Sequence, residues 1–408
     1  MAVATNRWVG EAVVVAQVDT WTIAETVEIG DLFILTVVGW DGSTEVISHS
    51  ATSTTKATVA TELAAQWNAS THPECAKITA AGVGDTVTLT ADTAGVAFTV
   101  TGATTEANGD ASDSQTFEVV KTTANVGPSD WTSAANWSNG TMPVDGDNKV
   151  YVEGEFTILY GLAQSAVELD ELWISGAQIG TNPASGWAPV YLDIECPIVH
   201  IGHKHGPSAL TQQAPINLDT GTVASAITVH NTGTNGSAPA VRLLCACATT
   251  TVEVRKGTVG IANDAGEQAI LNKLTLLYDT NRTTDAKVYV GAEVTFDTGV
   301  INQEGGELRL RSTCATVTIE WGTMTIDAAA AMTTLTINGG TVTHNSSGTL
   351  ATVAINGGTL DMTKSGIAQT LTNCQLNTGG TLKHDPALST ITTWTEPTGP
   401  VSLRASAA

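Results

Sequence analysis

Apolar and polar residues alternate over short stretches of this chain, and towards its carboxyl end the alternation is repeated. The segments LTINGGTVTH (335–344), VAINGGTLDM (353–362) and CQLNTGGTLKH (374–384) each hold two alternating runs on either side of a turn that contains Asn and Gly. Successive side chains of a β-strand point to opposite faces, so each segment predicts two short strands joined by a turn. A looser form of the pattern at Gly306 and Gly322 extends the repeat towards the amino terminus.

A repeat of this length is too short to bury its own apolar side chains. It must stack on copies of itself, with each copy pairing in parallel with the next. The sequence therefore predicts a parallel β-solenoid over residues 151–395, with roughly 13 coils and a length on the order of 60 Å at about 4.8 Å per coil. Three inward-facing rows are predicted: Leu335, Val353 and Cys374; Ile337, Ile355 and Leu376; and Val342, Leu360 and Leu382.

The turn inside each repeat is the predicted corner of the coil. Glycine adopts positive φ at no steric cost, and asparagine tolerates the left-handed conformation and can hydrogen-bond its neighbours in a stack. The predicted structural residues of the corners are Asn338, Gly340, Asn356, Gly358, Asn377 and Gly380.

The first 125 residues follow a different pattern. The segment KATVATELAAQWNAS (56–70) places Val59, Leu63 and Trp67 at a spacing of four, which predicts one helix. Alternating segments before and after it, such as DLFILTVVGW and DTVTLTAD, predict strands. Residues 1–125 are therefore predicted to form an α+β module, so that the whole chain is mainly β, with this module ahead of the solenoid.

A junction is predicted at residues 126–150, and it contains Trp131 and Trp137. We expect both indoles to cover the open end of the solenoid, which would otherwise expose apolar side chains and unpaired strand edges; sugar stacking is the alternative. Residues 396–408 are predicted to be a flexible tail.

Composition and charge narrow the classes of partner. The net charge of −23 includes no basic run, so neither nucleic acid nor a membrane surface is an expected partner. The amino terminus lacks the basic start and continuous apolar stretch of a secretory signal, which predicts synthesis in a cytoplasm. The six cysteines are predicted to be buried free thiols, and alternation places Cys245 and Cys247 together on the inner face of one strand.

The strongest candidate for chemistry is IVHIGHKHGP, which contains His200, His203 and His205. In an extended strand, His203 and His205 point the same way and could supply two metal ligands. The alternatives are loop histidines that are exposed or hydrogen-bonded, and, last, a catalytic role. Asp145 and Asp147 in VDGDN form either a solvated acidic turn or a calcium site.

Catalytic motifs are missing from the sequence. It has no G-x-S-x-G, H-E-x-x-H, P-loop or C-x-x-C motif, and carboxylates are sparse in the predicted solenoid. A glycosidase needs two carboxyl groups at a defined separation. We therefore predict a protein that is not an enzyme, has no catalytic residue and needs no cofactor.

Several segments resemble parts of known phage proteins. GDLFILTV (30–37) and DTVTLTADTAGVAFTVT (85–101) resemble a small domain of structural proteins in tailed bacteriophages. DWTSAANWSNGTMPVDGDNKVYV (130–152) is similar to the segment that precedes β-helical stalks of phage and bacterial surface proteins, and residues 158–180 look like the first coils of such stalks.

The resemblance implies a bacteriophage virion structural protein that decorates the capsid or belongs to the tail. Its implied location is the virion, and its implied partners are other virion proteins. The predicted architecture, and not the resemblance, suggests a homo-oligomer, with a trimer as one candidate. A receptor- or glycan-binding tail fibre or spike that contacts a cell-surface glycan is the alternative. A polysaccharide depolymerase and a bacterial surface adhesin rank below it.

Overall fold

The computed structural model describes residues 5–39, 43–107, 115–146, 149–181, 190–203, 211–212, 214–233, 238–277 and 286–395. Within these ranges the chain is mainly β, with one α-helix, α1 (Lys56–Ala69), and two short 3₁₀ helices, Cys75–Lys77 and Ala134–Asn136. No helix of the described ranges combines the length and the apolar character needed to span a bilayer.

The strands are, in chain order, β1 (Thr5–Arg7), β2 (Val18–Ala24), β3 (Leu32–Val38), β4 (Thr44–Ser50), β5 (Ile78–Val83), β6 (Thr86–Ala91), β7 (Thr99–Thr105), β8 (Thr116–Thr123), β9 (Lys149–Glu153), β10 (Thr157–Ile158), β11 (Ala163–Glu168), β12 (Glu171–Ser175), β13 (Gln178–Ile179), β14 (Leu192–Glu195), β15 (Ile198–Ile201), β16 (Ile216–Asp219), β17 (Ala226–Val229), β18 (Val241–Leu244), β19 (Thr251–Val254), β20 (Gly257–Ile261), β21 (Ala269–Leu276), β22 (Ala286–Val290), β23 (Val294–Gln303), β24 (Glu307–Leu310), β25 (Cys314–Ile319), β26 (Thr323–Ile326), β27 (Met332–Ile337), β28 (Thr341–His344), β29 (Leu350–Ile355), β30 (Gly358–Met362), β31 (Gln369–Leu376), β32 (Gly380–His384) and β33 (Ser389–Thr395).

Two long parallel sheets contain most of these strands. The first sheet has the order β1-β9-β12-β15-β17-β19-β21-β23-β25-β27-β29-β31-β33. The second has the order β10-β13-β16-β18-β20-β22-β24-β26-β28-β30-β32, with β11 and β14 attached beside it. Residues 149–395 are called the coil stack here. From β15 onwards its successive strands alternate between the two sheets. This arrangement is consistent with the predicted parallel β-solenoid.

The strand register confirms the three predicted rows. Leu335 pairs with Val353 and Val353 with Cys374, and the other two rows pair in the same way. Nearly all of these side chains are buried in one apolar cluster that runs through the coil stack. Burial of successive rows stabilises the stack at roughly 25 cal/mol per Å² of apolar surface removed from water.

The described part of the coil stack holds eleven coils with a strand in each sheet, followed by β33 alone, where roughly 13 coils were predicted. The estimate was wrong because the coils differ in length. Leu335 follows its partner Val317 by 18 residues, whereas Ile227 follows Val199 by 28. At about 4.8 Å per coil, eleven coils span on the order of 55 Å.

Residues 18–123 contain two antiparallel sheets and the helix. The sheets have the orders β5-β6-β2-β8 and β4-β3-β7. The predicted helix is confirmed, and Val59, Leu63 and Trp67 are buried in a second apolar cluster. Strands β4 and β8 were not anticipated, since their burial pattern follows the alternation less regularly than that of β3.

Candidate functional site

The predicted corner glycines differ in conformation. Gly340 and Gly358 have φ of 74° and 69°, and a Cβ on Gly358 would lie 2.5 Å from the carbonyl oxygen of Gly340. In the third repeat the positive φ of 97° belongs to Gly379, and Gly380 begins strand β32 instead. The inserted Thr378 moves the turn by one residue, which explains the difference.

The corner asparagines form a hydrogen-bonded row on the outside of the stack. Asn356 Nδ2 donates to Asn338 Oδ1 over 2.8 Å, and Asn377 Nδ2 donates to Asn356 Oδ1 over 2.6 Å. The row continues to Glu320, whose Oε1 accepts from Asn338 Nδ2 over 2.8 Å. Each amide both donates and accepts, so the row links four successive coils.

Trp131 and Trp137 lie at the beginning of the coil stack, together with Trp8. All three indoles are buried in the same apolar cluster as the first coil, and the Trp131 and Trp137 rings meet edge to face with centroids 4.7 Å apart. Strand β1 pairs with β9 and so brings Trp8 to this end, which the sequence analysis did not anticipate. Because Trp131 is fully buried, it has no face available for stacking with a sugar.

A cluster of rings lies on the outer face of the first sheet, and we call Trp173, His200, His203 and His230 the histidine cluster. Trp173 pairs with His200 in the strand register, and their ring centroids are 4.0 Å apart. His200 Nδ1 lies 3.2 Å from His230 Nε2. The ring of exposed His203 meets the His230 ring edge to face, with centroids 4.9 Å apart.

Polar groups of the neighbouring strands hold this cluster in place. Glu171 Oε1 accepts a hydrogen bond from Trp173 Nε1 over 2.5 Å, and Lys149 forms a salt bridge with the same carboxylate. Tyr151 stacks on Trp173 and has the Arg7 guanidinium 4.2 Å from its ring centre. The contacts with Glu171 and Tyr151 therefore hold the Trp173 ring in the position in which it packs against the imidazoles.

The electrostatic surroundings favour neutral imidazoles. Burial is the main reason that the pKa of His230 falls to about 4 and that the pKa of His200 is lowered. The Glu171 carboxylate opposes the shift at His200, and the Arg255 charge lowers the pKa of both imidazoles. A neutral pair shares one proton between its facing nitrogens, and neutral imidazole is also the form that binds metals. Two Zn–N bonds of about 2.0–2.1 Å could span nitrogens at this separation.

The predicted metal ligands were His203 and His205. His203 lies in the histidine cluster, whereas His205 is outside the described residues, so this metal pair stays a prediction. The residue that sequence reasoning missed is His230. One coil after His200 is Thr228, its partner in the strand register, and His230 follows two residues later, so counting coils along the sequence does not by itself identify His230.

Two groups of acidic residues are candidate cation sites. Asp145 Oδ1 accepts a hydrogen bond from the backbone N–H of Glu168 over 3.1 Å, and Asp147 is outside the described residues. Among the described residues, one acidic group, Glu28, Asp31 and Glu106, brings its carboxylate oxygens within 4.8 Å of one another. Asp31 is occupied there by the backbone N–H groups of Glu28 and Ala107.

One prediction about buried side chains needs correction. Cys245 is buried, but Cys247 is partly exposed, because β18 ends at Leu244 and the alternation stops there. His344 is fully buried opposite Ile326 in the inner row of the second sheet. Neither position could be read from alternation alone.

Comparisons of the chain with protein-family models, with curated proteins and with solved structures gave no match. The function is therefore argued from the geometry and from the sequence resemblance.

Proposed function

We propose that this protein is a non-enzymatic structural component of a bacteriophage virion, which decorates the capsid or forms part of the tail. The observation that carries the proposal is the surface of coils β25 to β32, which carries a row of threonines on the outer face of each sheet. The resemblance of residues 130–152 to the entry of phage stalks supports the assignment to a virion.

The threonine rows lie on the outer faces of both sheets. On the first sheet Thr316 pairs with Thr334 and Thr334 with Thr352. On the second sheet the row is longer, and it consists of Thr323, Thr341, Thr359 and Thr381. Paired threonines stabilise neighbouring strands and present short, uncharged side chains to water. Such rows suit a stiff spacer, because short, uncharged side chains do not themselves form a convergent set of functional groups.

In this proposal residues 1–125 form an α+β module that anchors the protein to the particle. Helix α1 lies against the two antiparallel sheets there, with Trp67 Nε1 donating to the Ile78 carbonyl oxygen over 3.0 Å. Val13, Val14 and Val120 are exposed on this part of the chain and would supply apolar contact area. The protein would act as a homo-oligomer, with a trimer as one candidate, and its partners would be other virion proteins.

The proposal is tested on phage particles purified by density-gradient centrifugation from a strain that encodes this chain. Quantitative mass spectrometry of the particle fraction should detect the chain at a fixed ratio to the major capsid protein, and the ratio should survive a high-salt wash. A chain that stays at the top of the gradient would contradict the proposal. An empty-vector lysate mixed with purified recombinant protein controls for adventitious co-sedimentation.

A further inference from the structure

The outer edge of the second sheet contains a groove with a cavity volume of about 560 Å³. It crosses the coils of β20, β22, β24 and β26, where each strand turns into its corner. The residues used here are Asn263, Tyr289, Gly291, Arg309, Arg311 and Asp327, all of which line it. The groove lies towards the amino-terminal side of the threonine rows and is separate from the histidine cluster, which is on the other sheet.

The backbone beside the groove is closely packed at two glycines. A Cβ on Gly291 would lie 1.6 Å from the Ala262 carbonyl oxygen, and a Cβ on Gly260 would lie 1.8 Å from Asn263 Oδ1. Two alanines at the ends of the groove, Ala262 and Ala328, adopt φ of 41° and 59°. Left-handed backbone at a residue other than glycine is costly and is concentrated at functional sites.

An aromatic ring forms part of the groove wall. Tyr289 pairs with Gly260 in one neighbouring coil and with Arg309 in the other. The position that a Gly260 side chain would occupy is filled by Asn263 and Pro239. Asn263 Oδ1, beside the ring, is a buried acceptor without a hydrogen-bond partner among the described residues.

Two arginines supply positive charge to the groove. Arg309 is held by a salt bridge to Asp327, which fixes its guanidinium on the groove wall. Arg311 is exposed and has no salt bridge within the described ranges. A free guanidinium is uncommon in a chain with 17 basic and 40 acidic residues, and guanidinium binds carboxylates with two parallel hydrogen bonds.

We propose that this groove binds an acidic saccharide, a sugar that carries a carboxylate. The sugar ring lies against Tyr289, its carboxylate pairs with Arg311, and its hydroxyl groups donate to the Asp327 carboxylate. Three kinds of group thus converge on one cavity: an aromatic ring, a cation and a carboxylate. A neutral saccharide makes the same ring and hydroxyl contacts but leaves the Arg311 charge unpaired.

The test uses the full-length chain with trigalacturonate as probe and isothermal titration calorimetry as readout. Trigalacturonate should bind, and the neutral trisaccharide maltotriose should bind at least tenfold more weakly. Arg311→Gln and Tyr289→Ala should each weaken trigalacturonate binding at least tenfold. Arg255→Gln is the matched control, because Arg255 is a half-exposed arginine on the other sheet, paired with Glu253, and its loss should leave binding unchanged.

Three results would overturn the proposal. They are no binding of trigalacturonate, equal binding of the neutral trisaccharide, and equal loss of binding in Arg255→Gln, which would show a general charge effect. Arg311 is exposed, so its substitution is not expected to disturb folding. Equal circular dichroism spectra and unfolding midpoints of the variants establish that any loss of binding comes from the groove. The outcome is independent of whether the protein is found in virions.

Discussion

His344 makes the coil stack sensitive to mild acid. Its imidazole is fully buried in the inner row of the second sheet, and burial lowers its pKa to about 4. In the unfolded chain a histidine has a pKa of about 6.5. Between these two values the unfolded state binds a proton that the folded state does not, so stability is complete above about pH 6.5 and is lost as the pH falls towards 4.

The magnitude follows from the two pKa values. Linkage between them gives a loss of about 2 kcal/mol in the free energy of unfolding between about pH 7.5 and pH 5.0, and about 3 kcal/mol when protonation is complete. Other titrating groups contribute to the total pH dependence, and a variant that lacks His344 isolates this share.

His344→Met is the suitable variant, because Met362 ends the equivalent strand β30 and shows that methionine fits this row. The free energy of unfolding is measured by urea denaturation at both pH values. The variant should lose about 2 kcal/mol less than the natural chain on acidification. An equal loss in His344→Met and the natural chain would refute the reasoning.

Three further predictions concern the corner, the thiols and the histidine cluster. Gly358→Ala should lower the free energy of unfolding by about 3 kcal/mol, since it adds backbone strain and a clash with the neighbouring coil. Gly366 has φ of 64° but open space around it, so Gly366→Ala should lower the free energy of unfolding by only about 1 kcal/mol. Equal losses in the two variants would contradict the steric argument. A thiol reagent should rapidly modify one cysteine of the native chain, Cys247, whose pKa is lowered by the Thr249 hydroxyl. Cys247→Ser should abolish this rapid modification. Rapid modification of more thiols would be inconsistent with burial of the other five cysteines. Zinc should bind the full-length chain, and both His200→Gln and His230→Gln should weaken binding at least tenfold in calorimetry, whereas unchanged binding would exclude the pair as ligands.

The repetitive part of the fold could be predicted because its rules are local. Alternation and the Asn-Gly-Gly spacing were sufficient to place Leu335 opposite Val353, since a regular coil converts a fixed interval in the sequence into a contact. The same reasoning failed at Gly380, where one inserted residue moved the turn to Gly379. It also overestimated the number of coils, because the early coils are longer than the repeat from which the interval was taken.

The candidate sites could be predicted only in part. Trp131 and Trp137 stood out by composition, but Trp8 reaches them through the pairing of β1 with β9, a contact between distant parts of the chain. The groove was missed for the same reason, since Asn263 and Arg311 meet only after the coils between them have been counted correctly. Contacts between coils of unequal length can be predicted only when the strand register is known. In this part of the chain the sequence pattern does not give that register.

Cryo-electron microscopy of purified virions from a phage that encodes this chain would test the structural role most directly. The account predicts rods on the order of 55 Å long, in fixed copy number and at regular positions on the head or tail, with the end that carries Trp8 and Trp131 towards the particle. Virions without such density, purified from cells that express the chain, would contradict a structural role in the particle.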